Sequence, residues 1–142
     1  MVLKQIIMNY PLRAAALAWI IAQVIKVLID LIGYKKVDYT RIYGAGGMPS
    51  SHTSFVVALC VNIGKNYGFD SPLFAVAAAL AAIVMYDAAG VRRAAGKQAA
   101  AINLLFRQNG ITLEKQLKEL LGHTPLQVLA GAILGIVIGA AL

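Results

Sequence analysis

Hydrophobic residues dominate positions 11–33, where only Arg13, Lys26 and Asp30 carry charge. Coiled as a helix, this run is long enough to cross a hydrocarbon core of about 30 Å, and it predicts a first transmembrane helix. Positions 34–48 turn polar and glycine-bearing, which predicts a loop. A second, short helix is expected to start near Pro49 or Ser50 and to run to about Ile63, where Gly64-Lys65-Asn66-Tyr67-Gly68 forms a turn. Ser71-Pro72 opens a third helix with Ser71 as its N-cap, and the alanine-rich apolar stretch over 73–85 carries it to Tyr86 and Asp87.

Good helix formers continue from Asp87 to Phe106, weakened only at Gly90 and Gly96. One helix over 71–106 would measure about 54 Å, well beyond the bilayer core, so the segment has to project from the membrane or bend. Asn109-Gly110 marks a turn, 112–121 predicts a short amphipathic helix, and Gly122-His123-Thr124-Pro125 opens a last apolar helix that runs to Leu142. That helix carries Gly131, Gly135 and Gly139 at four-residue spacing, a face of small residues suited to close helix contact, preferentially within the chain rather than across a dimer seam. The predicted architecture is a single all-α domain over 1–142. It is an integral membrane helical bundle of about four transmembrane helices, with a basic helical extension and a short amphipathic helix.

Composition agrees with a membrane-embedded chain. Hydrophobic residues make up 60% and charged residues only 13%, against about a quarter charged in soluble domains, and the mean hydropathy is +0.74. No small-residue cleavage pattern follows the first residues, so the first span is expected to be retained rather than removed as a signal peptide. Cys60 is the single cysteine and lies in an apolar segment, which excludes a disulfide within the chain and reads as a small buried hydrophobe. A net charge of +7 on such a chain points to topology or anionic lipid, not to nucleic acid.

The distribution of that charge is uneven. Threading four spans places Lys35, Lys36, Arg41, Arg92, Arg93, Lys97, Arg107, Lys115 and Lys118 on one side, with Lys4, Arg13 and Lys65 on the other. The positive-inside rule makes the first side cytoplasmic, as expected for an integral protein of a bacterial-type cell membrane. Both histidines and both glycine-rich breaks share that face.

The chemistry concentrates there as well. In Gly46-Gly47-Met48-Pro49-Ser50-Ser51-His52-Thr53, glycines that tolerate positive φ precede a helix start, whose amides and dipole suit a phosphate or similar oxyanion. Ser50 and Ser51 add donors, and His52 adds a group that carries a proton near neutral pH. Tyr86, Gly90, Arg93 and Lys97 fall on one helical stripe, so Arg93 and Lys97 can reach one anion together, whereas Arg92 reads equally well as a headgroup-layer charge. Asp87, a carboxylate at the edge of an apolar helix, is expected to orient an arginine or a histidine. Lys26 and Asp30, one turn apart, either pair with each other or leave Lys26 pointing into the site. Arg41 is near enough to the glycine-rich loop to fold over the same anion.

With Gly-Gly-Met-Pro-Ser-Ser-His at 46–52, Tyr-Asp-Ala-Ala-Gly-Val-Arg-Arg-Ala-Ala-Gly-Lys-Gln at 86–98 and Leu-Gly-His-Thr-Pro at 121–125, the chain resembles the divergent branch of the type 2 phosphatidic acid phosphatase and vanadium haloperoxidase superfamily. The resemblance implies that Ser50 and adjacent amides bind phosphate, that His52 protonates the leaving oxygen and that His123 is the nucleophile. Three positions depart from the mainstream motifs. Leu117 stands where an arginine is expected and Gln127 where an aspartate is expected. The first motif, a lysine followed by Arg-Pro, has only Lys26 and Arg41 as counterparts.

The reaction implied is metal-independent hydrolysis of a lipid phosphate or pyrophosphate through a phosphohistidine. His123, His52 and Asp87 would act at the reacting atoms, and Ser50, Ser51, Arg41, Arg93, Lys97 and Lys26 would hold the phosphate. No cofactor is expected, with vanadate acting only as a phosphate mimic. The expected partners are a phosphorylated membrane lipid and a second copy of the chain that completes the helical shell. Two other readings stand beside this one: a catalytically weak or inactive anion and headgroup binder, which Gln127 permits, and a small transporter or assembly subunit, which Lys26 and Asp30 suggest.

Overall fold

The computed structural model describes residues 1–34, 47–110, 116, 117, 119 and 121–142, and these contain helices and connecting segments but no strand. The helices are α1 (Val2–Ile7), α2 (Tyr10–Tyr34), α3 (Ser51–Tyr67), α4 (Pro72–Ala89), α5 (Val91–Gln108) and α6 (Pro125–Ala141). Helix α3 lies at the centre and packs against α2, α4 and α6. Two stretches, Tyr10–Ile32 and Pro72–Gln108, are long and apolar enough to cross a membrane, and Pro125–Ala141 is a shorter apolar helix.

Polarity is distributed as a lipid environment requires. On α2 the buried positions Ala14, Ala18, Ala22, Lys26 and Asp30 recur every four residues, forming a stripe of small side chains that ends in two ions. Leu17, Ile20, Val24, Leu28 and Leu31, on its other faces, are exposed. Helix α3, expected as a short span, is the polar axis of the bundle instead: Ser51, Thr53, Ser54 and Asn62 are buried in it. Each of these hydroxyl and amide groups that the packing places away from water needs a partner. Asn62 donates to the carbonyl of Gly139 at 3.2 Å, and Ser54 donates to that of Ser50 at 2.9 Å.

The glycine face of α6 lies against α3. A Cβ on Gly131 would stand 2.5 Å from the Ser50 carbonyl oxygen, one on Gly135 2.8 Å from that of Ser54, and one on Gly139 2.7 Å from that of Ala58. All three positions are closed to any side chain, and the small-residue face is used inside the chain as expected. Ser50 N–H donates to the Gln127 carbonyl at 3.0 Å at one end of this seam, and Lys65 Nζ donates to the Ala140 carbonyl at 2.9 Å at the other.

Helix boundaries follow glycine geometry more than glycine content. Helix α3 runs through Gly64, because a Cβ there would collide with the Phe69 ring; this glycine permits a close approach and does not end the helix. The stop comes at Gly68, with φ of 93°. Pro49 precedes the cap instead of occupying the first turn, and Ser50 is the N-cap. Ser71 caps α4 as expected, accepting from Phe74 N–H at 3.2 Å. The long helix over 71–106 bends, as its length demanded: Gly90, with ψ of −84°, separates α4 from α5.

The short helix expected over 112–121 does not include Gln116, Leu117 or Glu119, which lie outside any helix. Leu117 exchanges two hydrogen bonds with the Asn103 side chain, donating at 3.0 Å and accepting at 2.8 Å, and Asn103 also donates to Glu119 Oε1 at 2.8 Å. The Asn103 amide mimics a backbone partner, so Leu117 finds its hydrogen bonds on α5.

Gly135→Val should force α3 and α6 apart and lower stability by about 1–3 kcal/mol, whereas Leu129→Ala, at a side chain 57% exposed on the same helix, should change it little. Thermal unfolding in detergent compares the two.

Candidate functional site

The C-terminal half of α2, the start of α3, the end of α4 and the start of α6 meet at one end of the bundle. Three contacts hold them there. Lys26 Nζ donates to Ser51 Oγ at 3.1 Å, Ser50 N–H donates to the Gln127 carbonyl, and His123 N–H donates to the Ala88 carbonyl at 2.9 Å. Lys26 therefore points into the site, with its aliphatic stem passing 3.6 Å from the Cβ position of Gly47 and Asp30 acting on its charge from one turn away. Gly47 takes the positive φ expected of it, at 81°. Gly46 and Arg41 lie outside the described residues.

Gln127 fixes the chemistry of His123. It closes a capping box with Thr124: the Thr124 hydroxyl accepts from Gln127 N–H at 3.3 Å, and Thr124 N–H donates to Gln127 Oε1 at 3.0 Å. A backbone amide can only donate, so the atom it meets must be the Gln127 oxygen. That same oxygen lies 3.3 Å from His123 Nδ1, which therefore carries the proton. In the neutral ring Nε2 then holds a lone pair. Nε2 is buried and has no hydrogen-bond partner among the described residues. Burial pushes the His123 pKa down; the Gln127 hydrogen bond and the nearby Gly47 backbone oppose the shift, and the charges of Lys26 and His52 add to it.

A cavity of about 230 Å³ opens beside His123, lined also by His52, Ile83, Val84, Asp87, Ala88 and Arg92. His52 sits in the first turn of α3, exposed to the cavity. Asp87 finds the cationic partner expected of it in Arg92, whose Nε lies 2.5 Å from Asp87 Oδ2. Ser51 is buried against Lys26. The Ser50 hydroxyl, fully buried, is committed to the helix start: it accepts from Thr53 Oγ1 at 3.0 Å and from Thr53 N–H at 3.4 Å. Arg93 and Lys97 are exposed and do not line this cavity.

The family can be read from the chain at this point, since a model of the divergent PAP2 family matches residues 7–138. The chain belongs to that family. It is also 43% identical, over 148 residues that cover 94% of each chain, to an uncharacterized membrane protein of Bacillus subtilis, YuiD. No solved structure matches it. A divergent PAP2 protein is a membrane protein of a phosphatase-related superfamily, and its paired histidines and buried cation stand at one end of a helical bundle.

Arg92 is the site residue that sequence periodicity passes over. Five residues apart on an unbroken helix, Asp87 and Arg92 would point about 140° apart; the break at Gly90 removes that constraint and lets them pair. The same break interrupts the stripe from Tyr86 to Lys97, and Tyr86 itself is 76% exposed.

With only two histidines in the chain, ¹⁵N-histidine NMR should resolve His123 as the Nδ1-protonated tautomer, titrating below the ordinary histidine range. Gln127→Leu should erase that tautomer bias and lower stability by about 1 kcal/mol, because Thr124 N–H loses its acceptor while the Thr124 cap remains.

Proposed function

We propose that this divergent PAP2 protein hydrolyses a phosphomonoester or pyrophosphate on a membrane lipid through a phosphohistidine intermediate, at the cytoplasmic face of a cell membrane. One observation carries the reading: His123 Nε2, tautomerically poised as a lone-pair donor, is buried without a partner beside a cavity that also holds His52 and Arg92. In the first step Nε2 attacks phosphorus and the bond to the leaving oxygen breaks, with His52 giving that oxygen its proton. In the second, water attacks the phosphohistidine, His52 takes the water's proton, and phosphate departs with Nε2 restored. Lys26, Arg92 and the positive end of the α3 dipole stabilise the charge on the equatorial oxygens.

A second reading, binding with slow or no turnover, has its own support. Gln127 offers His123 an acceptor without a charge, and the Asp87 carboxylate is engaged by Arg92. A neutral amide stabilises a phosphorylated imidazole less than a carboxylate would.

Phosphate release from lipid phosphates by the purified protein should fall at least about 100-fold in His123→Ala and in His52→Ala; equal release by all three proteins rejects the hydrolase. Release should decline as pH falls through the His123 pKa, because protonation removes the attacking lone pair. Gln127→Glu keeps the capping box, adds a carboxylate at Nδ1, and so should raise kcat and move that acid limb to higher pH. Tight vanadate binding without turnover in the unmutated protein selects the second reading.

A further inference from the structure

A second cavity, of about 290 Å³, adjoins the first and shares His52 and Val84 with it; its other walls are Trp19 from α2 and Phe55 and Val56 from α3. Apart from the His52 imidazole and the indole N–H of Trp19, these lining side chains offer no hydrogen-bonding group. The two cavities therefore divide by chemistry at His52. One side holds Arg92, Asp87 and His123, and the other is hydrocarbon and aromatic. Trp19 is 42% exposed, so the outer wall of the apolar cavity belongs to the lipid-facing surface of α2. The volume lies at the low end of small-molecule sites, which suits one slender chain segment with the remainder in the bilayer.

Resting on the reading that a phosphoryl group sits between His123 and His52, we propose that the apolar cavity receives the alcohol portion of the substrate directly from its ester oxygen. The substrate class is then the phosphate or pyrophosphate of a simple apolar alcohol, alkyl or prenyl. A glycerolipid phosphate is disfavoured because its ester carbonyls follow the phosphate by a few bonds. Those carbonyls would enter a cavity with almost nothing to pair with, and a desolvated polar group without a partner is selected against by about tenfold or more. His52 stands where both demands meet, at the oxygen that joins the charged and the apolar parts.

Trp19 is the only tryptophan in the chain, so its fluorescence reports on this cavity without reference to turnover. The full-length protein in nanodiscs is titrated with chain-brominated alkyl phosphonate, which cannot be cleaved, and with the brominated phosphonate analogue of a phosphatidate. A brominated alcohol measures simple partitioning. The alkyl phosphonate should quench Trp19 saturably, about tenfold more tightly than the phosphatidate analogue, and inorganic vanadate should relieve that quenching. Val56→Phe, which fills the cavity, should abolish the saturable component while vanadate affinity measured by calorimetry persists. Should Val56→Phe fail to fold, the near-isosteric Val56→Thr places a hydroxyl in the cavity and should shrink the preference for the alkyl compound. Equal or tighter binding of the phosphatidate analogue, or quenching unchanged in both variants, overturns the proposal. Hydrolysis of phosphatidate as fast as of alkyl phosphate overturns it while leaving the hydrolase intact; selective binding without phosphate release rejects the hydrolase alone.

Discussion

The close approach of α6 to α3 is the constraint on which the site depends. In a lipid environment two helices gain little from hiding apolar surface from each other, so association relies on contact between backbones and on hydrogen bonds across the seam. Gly131, Gly135 and Gly139 allow that contact along the whole of α6, and Ser50, Asn62 and Lys65 supply hydrogen bonds from the top of the seam to the bottom. Because the seam begins at Ser50 and Gln127, it sets the N-terminus of α6 against the N-terminus of α3. His123 and His52 meet at one cavity for that reason. The histidines are 71 positions apart in sequence, and no local preference could bring them together.

A second consequence is that the polar groups of the bundle lie on its inside. Ser50, Ser51, Thr53 and Ser54 are consecutive or nearly so, and all four are buried at the end of α3 that faces the site. Their hydroxyls satisfy one another and the helix start: Thr53 donates to Ser50, Ser54 donates to the Ser50 carbonyl, and Lys26 donates to Ser51. This network holds the first turn of α3 rigid under His52. It also gives Lys26, an ammonium that would otherwise be costly so far inside an apolar helix, an acceptor and a nearby countercharge in Asp30.

Most of the helices, the cap at Ser71 and the glycine seam were legible in the sequence, because each rests on a local rule: apolar runs, hydroxyl caps and four-residue spacing. The choice between Lys26 pairing with Asp30 and Lys26 entering the site was not, since both follow from the same spacing and only the packing of α3 on α2 decides between them. Periodicity put Arg93 and Lys97 on one stripe because it presumes an unbroken helix, whereas Arg92 lines the cavity; nothing local distinguishes a glycine that breaks, such as Gly90, from one that admits a neighbour, such as Gly64 or Gly96. The non-helical placement of Leu117 was hidden for a related reason. Its pairing with Asn103 is a long-range contact, and the amphipathic pattern of 112–121 says only that one side faces away from water. The apolar cavity around Trp19 had no motif at all; each of its walls reads in isolation as an ordinary lipid-facing or core residue.

The glutamine at 127 is best understood through the charges around it. The site holds Lys26 and Arg92 against Asp30 and Asp87, with the His123 ring kept neutral by its burial. In the hydrolase proposed above, a carboxylate at 127 would add a third negative charge beside His123. That would favour the phosphorylated ring once formed, but it would repel the incoming phosphate dianion in a poorly screened setting. Gln127 removes the repulsion and keeps the geometry, since its oxygen serves Thr124 N–H and His123 Nδ1 together. On the proposed reading, the exchange would favour binding of an anion over stabilisation of a phosphorylated ring.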